Sequence, residues 1–148
     1  MRKPNGFSIL EVTMTVLIGI TLTDMAVRRI APVQSTVAVS SSANTLKSLA
    51  ARARAHAIER GTIARLEIDI AEDRASVVVG TEVLESIDFK SMGVDLQSTA
   101  ARVRLCMNPS GFGEMGCNSF ESDITITIRR GEKSSTIVIG PLGRVIKL

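Results

Sequence analysis

The stretch Gly6-Phe7-Ser8-Ile9-Leu10-Glu11-Val12 begins an apolar run that ends at Leu22, and Arg2 and Lys3 precede it. A conventional secretory signal is cut after its apolar region and loses it. Here the only suitable processing point, between Gly6 and Phe7, lies before the apolar run. The run is therefore expected to remain in the mature protein as an N-terminal helix.

The apolar run is short for a membrane crossing, since a helix needs about 20 apolar residues to span the bilayer core. A crossing would have to extend over residues 7–31 and include Asp24, Arg28 and Arg29. Asp24 and Arg28 are four residues apart, so they share a helix face and offset each other's charge. The two cations before the run balance the two after it, so the positive-inside rule does not orient the segment.

Glu11 is an acid within the apolar run, where an unpaired carboxylate costs about 3 kcal/mol. One interpretation is that Glu11 reaches the nearby cytoplasmic interface of the membrane. The other is that it pairs with a cation. The residues alone leave both open.

Gly6, Phe7 and Glu11 resemble the type IV prepilin signature, in which a peptidase cuts after Gly, the new N-terminal Phe is methylated, and a Glu is the fifth mature residue. The resemblance implies a six-residue leader, residues 1–6, and an assembly role for Glu11. Its carboxylate would meet the amine of Phe7 of a neighbouring subunit. The implied partners are other pilins or pseudopilins, the prepilin peptidase, the inner membrane and an assembly platform, with the bulk of the chain in the periplasm.

The chain has 148 residues, of which 45% are apolar, enough for one domain beyond the N-terminal helix. The formal net charge is +3, but removal of the leader takes two of the 18 basic side chains and leaves 15 acidic ones, hence +1. Overall charge therefore gives a poor case for nucleic-acid binding.

Cys106 and Cys117 bracket a loop rich in turn-forming Pro and Gly. In an oxidising compartment they are expected to form a disulfide, which would contribute about 2–3 kcal/mol by restricting the unfolded chain. Two cysteines without a second pair of ligands are weak evidence for a metal. We therefore treat Cys106 and Cys117 as a disulfide candidate.

The pattern of residues 32–60 predicts an amphipathic helix that begins at Pro32 and ends at Arg60, before Gly61. The Ser40-Ser41-Ser42 run weakens helix propensity, so local melting or a bend is expected there. The apolar positions assigned to one face recur mostly at spacings of three and four: Val33, Val37, Leu46, Leu49, Ala50, Ala53 and Ala57.

Residues 61–148 change to a period of two, clearest in Ala64-Arg65-Leu66-Glu67-Ile68-Asp69-Ile70. Arg130-Gly131-Glu132 predicts a hairpin turn. The expected fold class is α+β, a long N-terminal helix followed by a β-rich head of packed antiparallel sheets. The eight predicted strands are 64–70, 75–79, 83–89, 94–96, 102–107, 124–129, 136–139 and 144–148.

The C-terminal half adds a second resemblance. Asn108-Pro109-Ser110-Gly111 and the ending from Ile137 to Val145 resemble the GspH/FimT family of minor pseudopilins and minor pilins. This resemblance implies a minor subunit of a type II secretion pseudopilus. The alternative is a FimT-like minor pilin of a type IV pilus that binds DNA through basic C-terminal residues, here Arg129, Arg130, Lys133, Arg144 and Lys147. Neither Trp nor Tyr is present for base stacking.

No catalytic group stands out, so we expect neither an enzyme nor a cofactor. The chain has no nucleophile with an identifiable base and no nucleotide-binding fingerprint. His56 and Glu59 form only half of a metal site and are expected on a solvated helix face. Glu82, Glu85 and Asp88 suggest calcium, but their spacing in a strand places them on both faces, which favours a solvated sheet edge.

Overall fold

The computed structural model describes the backbone of residues 8–148 and the side chains of residues 8–23 and 33–148. The predicted α+β fold is confirmed, and all eight expected strands are present, with ends at most three residues from those expected. Gly6, Phe7 and the side chains of Asp24, Arg28 and Arg29 lie outside the described part. The elements are α1 Ile9–Arg60, β1 Ala64–Asp69, β2 Arg74–Val79, β3 Glu82–Asp88, β4 Asp95–Ser98, β5 Arg102–Met107, β6 Ile124–Arg130, β7 Lys133–Ile139 and β8 Val145–Lys147, with a 3-10 turn at Lys90–Met92.

The chain divides into two compact units between Gln34 and Ser35. We call residues 8–34 the stalk and residues 35–148 the head. The helix α1 contributes its first half to the stalk and its second half to the head.

The head buries one face of α1 against the strands. The fully or almost fully buried apolar positions of this face follow the helical period: Val39, Ala43, Leu46, Leu49, Ala50, Ala53 and Ala57. The expectation that Val33 and Val37 share this face is wrong, since each is 61% exposed. Nine residues separate Val37 from Leu46, which is two and a half helical turns, so Val37 lies on the opposite side.

The expected melting at Ser40-Ser41-Ser42 is also wrong, because α1 continues through the run. Ser42 is fully buried, and its hydroxyl donates to the Met92 sulfur at 3.6 Å. Packing of the buried face outweighs the few tenths of a kcal/mol by which serine disfavours a helix.

The strands form two antiparallel sheets of four, in the orders β3-β2-β1-β5 and β4-β6-β7-β8. Alternation places Leu66 and Ile68 of β1, and Ile126 and Ile128 of β6, in one core with α1. Full burial of each such side chain stabilises the fold by about 1.5–3 kcal/mol. The predicted hairpin is confirmed: β6 and β7 are joined by two residues, with Gly131 at φ 59°.

Asp73 joins the two sheets. It lies in the β1–β2 turn with a left-handed φ of 51°, where a short polar residue is tolerated better than most. Its Oδ1 accepts a hydrogen bond from the backbone N–H of Leu96 in β4 at 2.6 Å, and its carbonyl accepts one from Phe89 at 2.8 Å. One turn thus ties the first sheet to the second.

Candidate assembly site

The stalk exposes large apolar side chains around its whole circumference. Successive helical residues point about 100° apart, so the apolar side chains of residues 9–22 point in all directions around the helix. Helices of this kind are normally covered by other helices or by lipid. The exposed fraction lies between 50% and 84% for Ile9, Leu10, Val12, Met14, Val16, Leu17, Ile18, Ile20 and Leu22.

The threonine hydroxyls of the stalk are satisfied within the helix. Thr13 donates to the Leu10 carbonyl at 2.9 Å, Thr21 to the Ile18 carbonyl at 2.9 Å, and Thr23 to the Gly19 carbonyl at 2.8 Å. A hydroxyl bonded in this way needs no outside partner in apolar surroundings. The threonines are therefore compatible with an apolar covering.

Glu11 differs from these threonines. Its side chain is exposed in the first turns of α1, and no side chain among the described residues forms an ion pair with it. An acid near a helix N-terminus is favoured by the helix dipole, but none of the described side chains offers it a counterion. Covering the apolar stalk would therefore require a cation for Glu11 from elsewhere.

Hydropathy alone does not mark a membrane span. In the part of the chain that the structure describes, no helix combines the length and the apolar character needed to cross a bilayer.

Cys106 of β5 and Cys117 are disulfide-bonded, with their Cα atoms 5.8 Å apart. The loop between them contacts the turn before β8: Asn118 Nδ2 donates to the Pro141 carbonyl at 2.8 Å, and the Gly113 N–H donates to the Leu142 carbonyl at 3.0 Å. A Cβ on Gly113 would lie 2.0 Å from the Pro141 oxygen, so only glycine fits. The chain around the disulfide is thus packed against Pro141 and Leu142, which lie in the second of the two segments that carry the C-terminal resemblance.

The basic residues proposed for DNA fall into two groups. Arg129, Arg130 and Lys133 lie at the β6–β7 hairpin, where Arg129 Nε donates to the Gly131 carbonyl at 2.9 Å and Arg130 Nη1 to the Met92 carbonyl at 3.3 Å.

Arg144 and Lys147 belong to the other group. The Arg144 carbonyl accepts a hydrogen bond from the Gly140 N–H. Gly140 follows Lys133 by seven residues of extended chain, so Arg144 and Lys133 are about 23 Å apart. It pairs with Asp123 at 3.5 Å, and Lys147 Nζ donates to the Ser40 hydroxyl at 2.8 Å. The structure does not bring the five residues into a single patch.

The acids of β3 bind arginines of α1. Glu82 pairs with Arg60 at 2.7 Å and Glu85 with Arg52 at 2.6 Å, while Asp88 Oδ1 accepts the Lys90 N–H at 2.9 Å. Sequence reasoning missed these pairs because their members lie 22 and 33 residues apart. β3 is an edge strand, as the solvated-edge interpretation requires.

His56 lies on α1 with its Nδ1 3.5 Å from a carboxylate oxygen of Glu59, and two thirds of the Glu59 side chain is exposed. Among the side chains that the structure describes, no three His, Cys, Asp or Glu residues converge as metal ligands.

The outer face of the first sheet carries ion pairs between side chains of β1 and β5, which surround a pocket of about 380 Å³. Arg102 Nε contacts Asp69 at 2.8 Å and Arg104 Nε contacts Glu67 at 3.3 Å. Partial burial raises the pKa of the Asp69 carboxyl, but hydrogen bonds from the Glu72 N–H and from Arg102 outweigh it and hold the pKa below its ordinary value. The alternating charges of β1 predicted this exposed face, but not which partners its residues have.

No protein-family model and no curated protein matches the chain in sequence. Among solved structures, the type IV minor pilin FimU of Pseudomonas aeruginosa PAO1 is similar in two crystal forms. For the P21 form the TM-score is 0.54 at 17% identity, covering 73% of this chain and 86% of FimU. For the P65 form the TM-score is again 0.54, at 15% identity, covering 74% and 91%. The chain therefore has a type IV pilin-like fold.

Proposed function

We propose that this protein is a pilin-like subunit that assembles into a filament through its stalk. The observation that carries the proposal is the exposed apolar surface around residues 9–22 of the stalk, in a chain with a pilin-like fold. Exposed apolar surface of this extent marks a region that a partner or a membrane covers. Neighbouring stalks would supply that cover in the filament.

Processing would create the cation that Glu11 needs. Cleavage after Gly6 releases the amine of Phe7, and N-methylation keeps its positive charge. An unpaired acid inside the apolar stalk bundle costs about 3 kcal/mol, so a subunit whose Phe7 amine meets Glu11 of its neighbour is favoured over any other register. Glu11 would thereby align each subunit as it enters.

The location that fits this role is the inner membrane before assembly, with the head in the periplasm. The Cys106–Cys117 disulfide supports an oxidising compartment, because cytosolic thiols are kept reduced.

Two filament systems are candidates. The motifs Asn108-Pro109-Ser110-Gly111 and Ile137 to Val145 resemble a family of both minor pseudopilins and minor pilins, so they support a minor pseudopilin of a type II secretion pseudopilus and a minor pilin alike. The likeness to FimU supports the alternative, a minor pilin of a type IV pilus. Deleting the gene separates them: loss of protein secretion with normal pili is expected for the first, and loss of pili or of DNA uptake with normal secretion for the second.

DNA binding belongs to the second candidate. Its test is retention of a duplex by the purified full-length protein at low salt, with Arg129→Gln and Lys133→Gln compared against Arg144→Gln and Lys147→Gln. Retention that does not weaken with salt would contradict an electrostatic contact.

The assembly role is tested with Glu11→Ala. The variant should be processed normally, whereas its crosslinking to partner pilins should fall about tenfold or more because the Phe7 amine loses its acid. Glu59→Ala, which removes an exposed acid of the head, is the control. Unchanged crosslinking of Glu11→Ala would overturn the role of Glu11, and an intact Met1 end in the mature protein, read by mass spectrometry, would overturn the processing step.

A further inference from the structure

In the head, α1 has two flanks that differ in how their cations are paired. The first flank faces β3, where Arg52 and Arg60 bind Glu85 and Glu82 at 2.6 and 2.7 Å. Both arginines are therefore neutralised by acids of an extended segment of the same molecule. This arrangement shows how an acidic strand lies along α1.

The second flank borders a shallow groove of about 130 Å³ between α1 and the turn before β8. We call it the basic groove. Lys47 and Arg54 are seven residues apart, which is two helical turns, so they project on the same side about 10 Å apart. Lys147 adds a cation outside the groove, about two helical turns before Lys47, where its Nζ contacts the Ser40 hydroxyl. The groove is lined by Lys47, Ala50, Ala51, Arg54, Gly143 and Val145.

No acid among the described side chains pairs with Lys47, Arg54 or Lys147. Arg54 Nη2 donates to the Gly143 carbonyl at 3.0 Å, which leaves its full charge without a counterion. The second flank thus also carries two cations about two helical turns apart, seven residues against eight on the first flank, but has no acidic strand beside it.

We propose that the basic groove binds an extended acidic segment from the head of a neighbouring subunit. Two acids three residues apart on an extended segment lie about 10 Å apart, which matches the spacing of Lys47 and Arg54. A regular strand would point them to opposite faces, but the pairing of β3 with β2 shifts register between Val77 and Val78, and Glu82 and Glu85 of β3 both reach α1. Glu82 and Glu85 have this spacing within β3. The small side chains of Ala50 and Ala51 and the Gly143 backbone let a polypeptide approach α1 closely.

A polypeptide fits better than a single-stranded nucleic acid, because the groove lining contains no aromatic side chain on which a base could stack. The inference rests on the proposed function, since assembly through the stalks would hold heads side by side. At that high local concentration, a contact made of a few exposed charges is strong enough to set which heads are neighbours.

The test uses the full-length protein in detergent and a labelled peptide with the sequence of residues 81–89, whose acids have the required spacing. Binding should weaken about tenfold in the Lys47→Gln/Arg54→Gln variant and about threefold in Lys47→Gln alone. Arg54→Gln removes the hydrogen bond to the Gly143 carbonyl and could disturb the turn before β8. Lys47→Gln leaves that bond in place, so its effect reports on the groove charge alone. Arg52→Gln, which removes a cation from the opposite flank, should leave binding unchanged.

Three results would overturn the proposal. The first is equal binding of a control peptide carrying Glu82→Gln, Glu85→Gln and Asp88→Asn, because carboxylates would then be irrelevant. The second is a loss of binding in Arg52→Gln as large as in Lys47→Gln, which would place the peptide on the β3 flank. The third is groove-dependent binding of a duplex oligonucleotide without binding of the peptide, which would make phosphate the ligand.

Failure of this inference is distinguishable from failure of the proposed function. If the groove does not bind the acidic peptide, crosslinking through the stalk should still depend on Glu11. If Glu11→Ala leaves crosslinking unchanged, the peptide measurement still reports on the groove.

Discussion

The stalk and the head use apolar side chains in opposite ways. In the head, Leu66 is fully buried against α1 and both sheets contribute to one core, whereas Leu17 in the stalk is 63% exposed. The head therefore carries its stabilising contacts within one chain, whereas the described apolar side chains of the stalk stay exposed. A substitution should affect either folding or assembly according to the region in which it lies.

The largest effect on stability is expected when leucine is replaced by alanine in the head, and the same replacement in the stalk is the comparison. Leu66→Ala should lower the free energy of unfolding of the head by about 2–5 kcal/mol, because it leaves a cavity in the core. Leu17→Ala should change it by less than about 0.5 kcal/mol and weaken crosslinking to partner pilins instead. Urea denaturation followed by circular dichroism measures the first quantity, and similar losses of stability in both variants would break the comparison.

The disulfide should have the next largest effect. Replacing both cysteines, Cys106→Ala with Cys117→Ala, is expected to cost about 2–3 kcal/mol because the unfolded chain regains the freedom of the closed loop. The same measurement on the wild-type protein with reductant is the control. A loss below about 1 kcal/mol would show that the contacts of Asn118 and Gly113 hold this loop without the bond.

Asp73, which links the two sheets by a hydrogen bond, allows a prediction within the head. Asp73→Ala should cost about 2 kcal/mol, because the Leu96 N–H loses its acceptor and alanine strains at a positive φ. Asp73→Asn keeps an acceptor and tolerates this φ, so about half the loss is expected. Equal losses in chemical denaturation of the two variants would mean that the hydrogen bond contributes little.

The smallest effect concerns pH. The pKa of Asp69 is held below its ordinary value of 3.8, so the stabilisation it provides is present above that pH and is lost as the pH falls through the folded-state pKa. Asp69→Asn should therefore be less stable than wild type near neutrality, and the difference should shrink in acid. Arg102→Gln should move the carboxyl titration, followed by NMR, to higher pH; an unmoved titration would rule out the Arg102 contribution.

Local patterns were sufficient wherever a property depends on neighbours along the chain. The alternation in Ala64 to Asp69 predicted β1 and its buried face, and Gly131 predicted the hairpin, because strand faces and tight turns are set by two to four consecutive residues. The assignment of Val33 and Val37 to the buried face failed although the helix itself was correct. The prediction carried spacings of three and four across the nine residues from Val37 to Leu46. Nine residues are two and a half helical turns, so Val37 lies on the opposite side of the helix from Leu46.

The sequence by itself determined the apolar run with Glu11 inside it, the eight strands and the positions of the two cysteines, since each follows from composition and period. The tertiary structure alone decided which strands share a sheet, that Arg52 and Arg60 meet the acids of β3, and that Lys47 and Arg54 are left without acids. Those contacts join residues far apart along the chain. Strand pairing and ion pairing between residues so far apart depend on how the whole core packs, and a local sequence pattern contains no information on that packing.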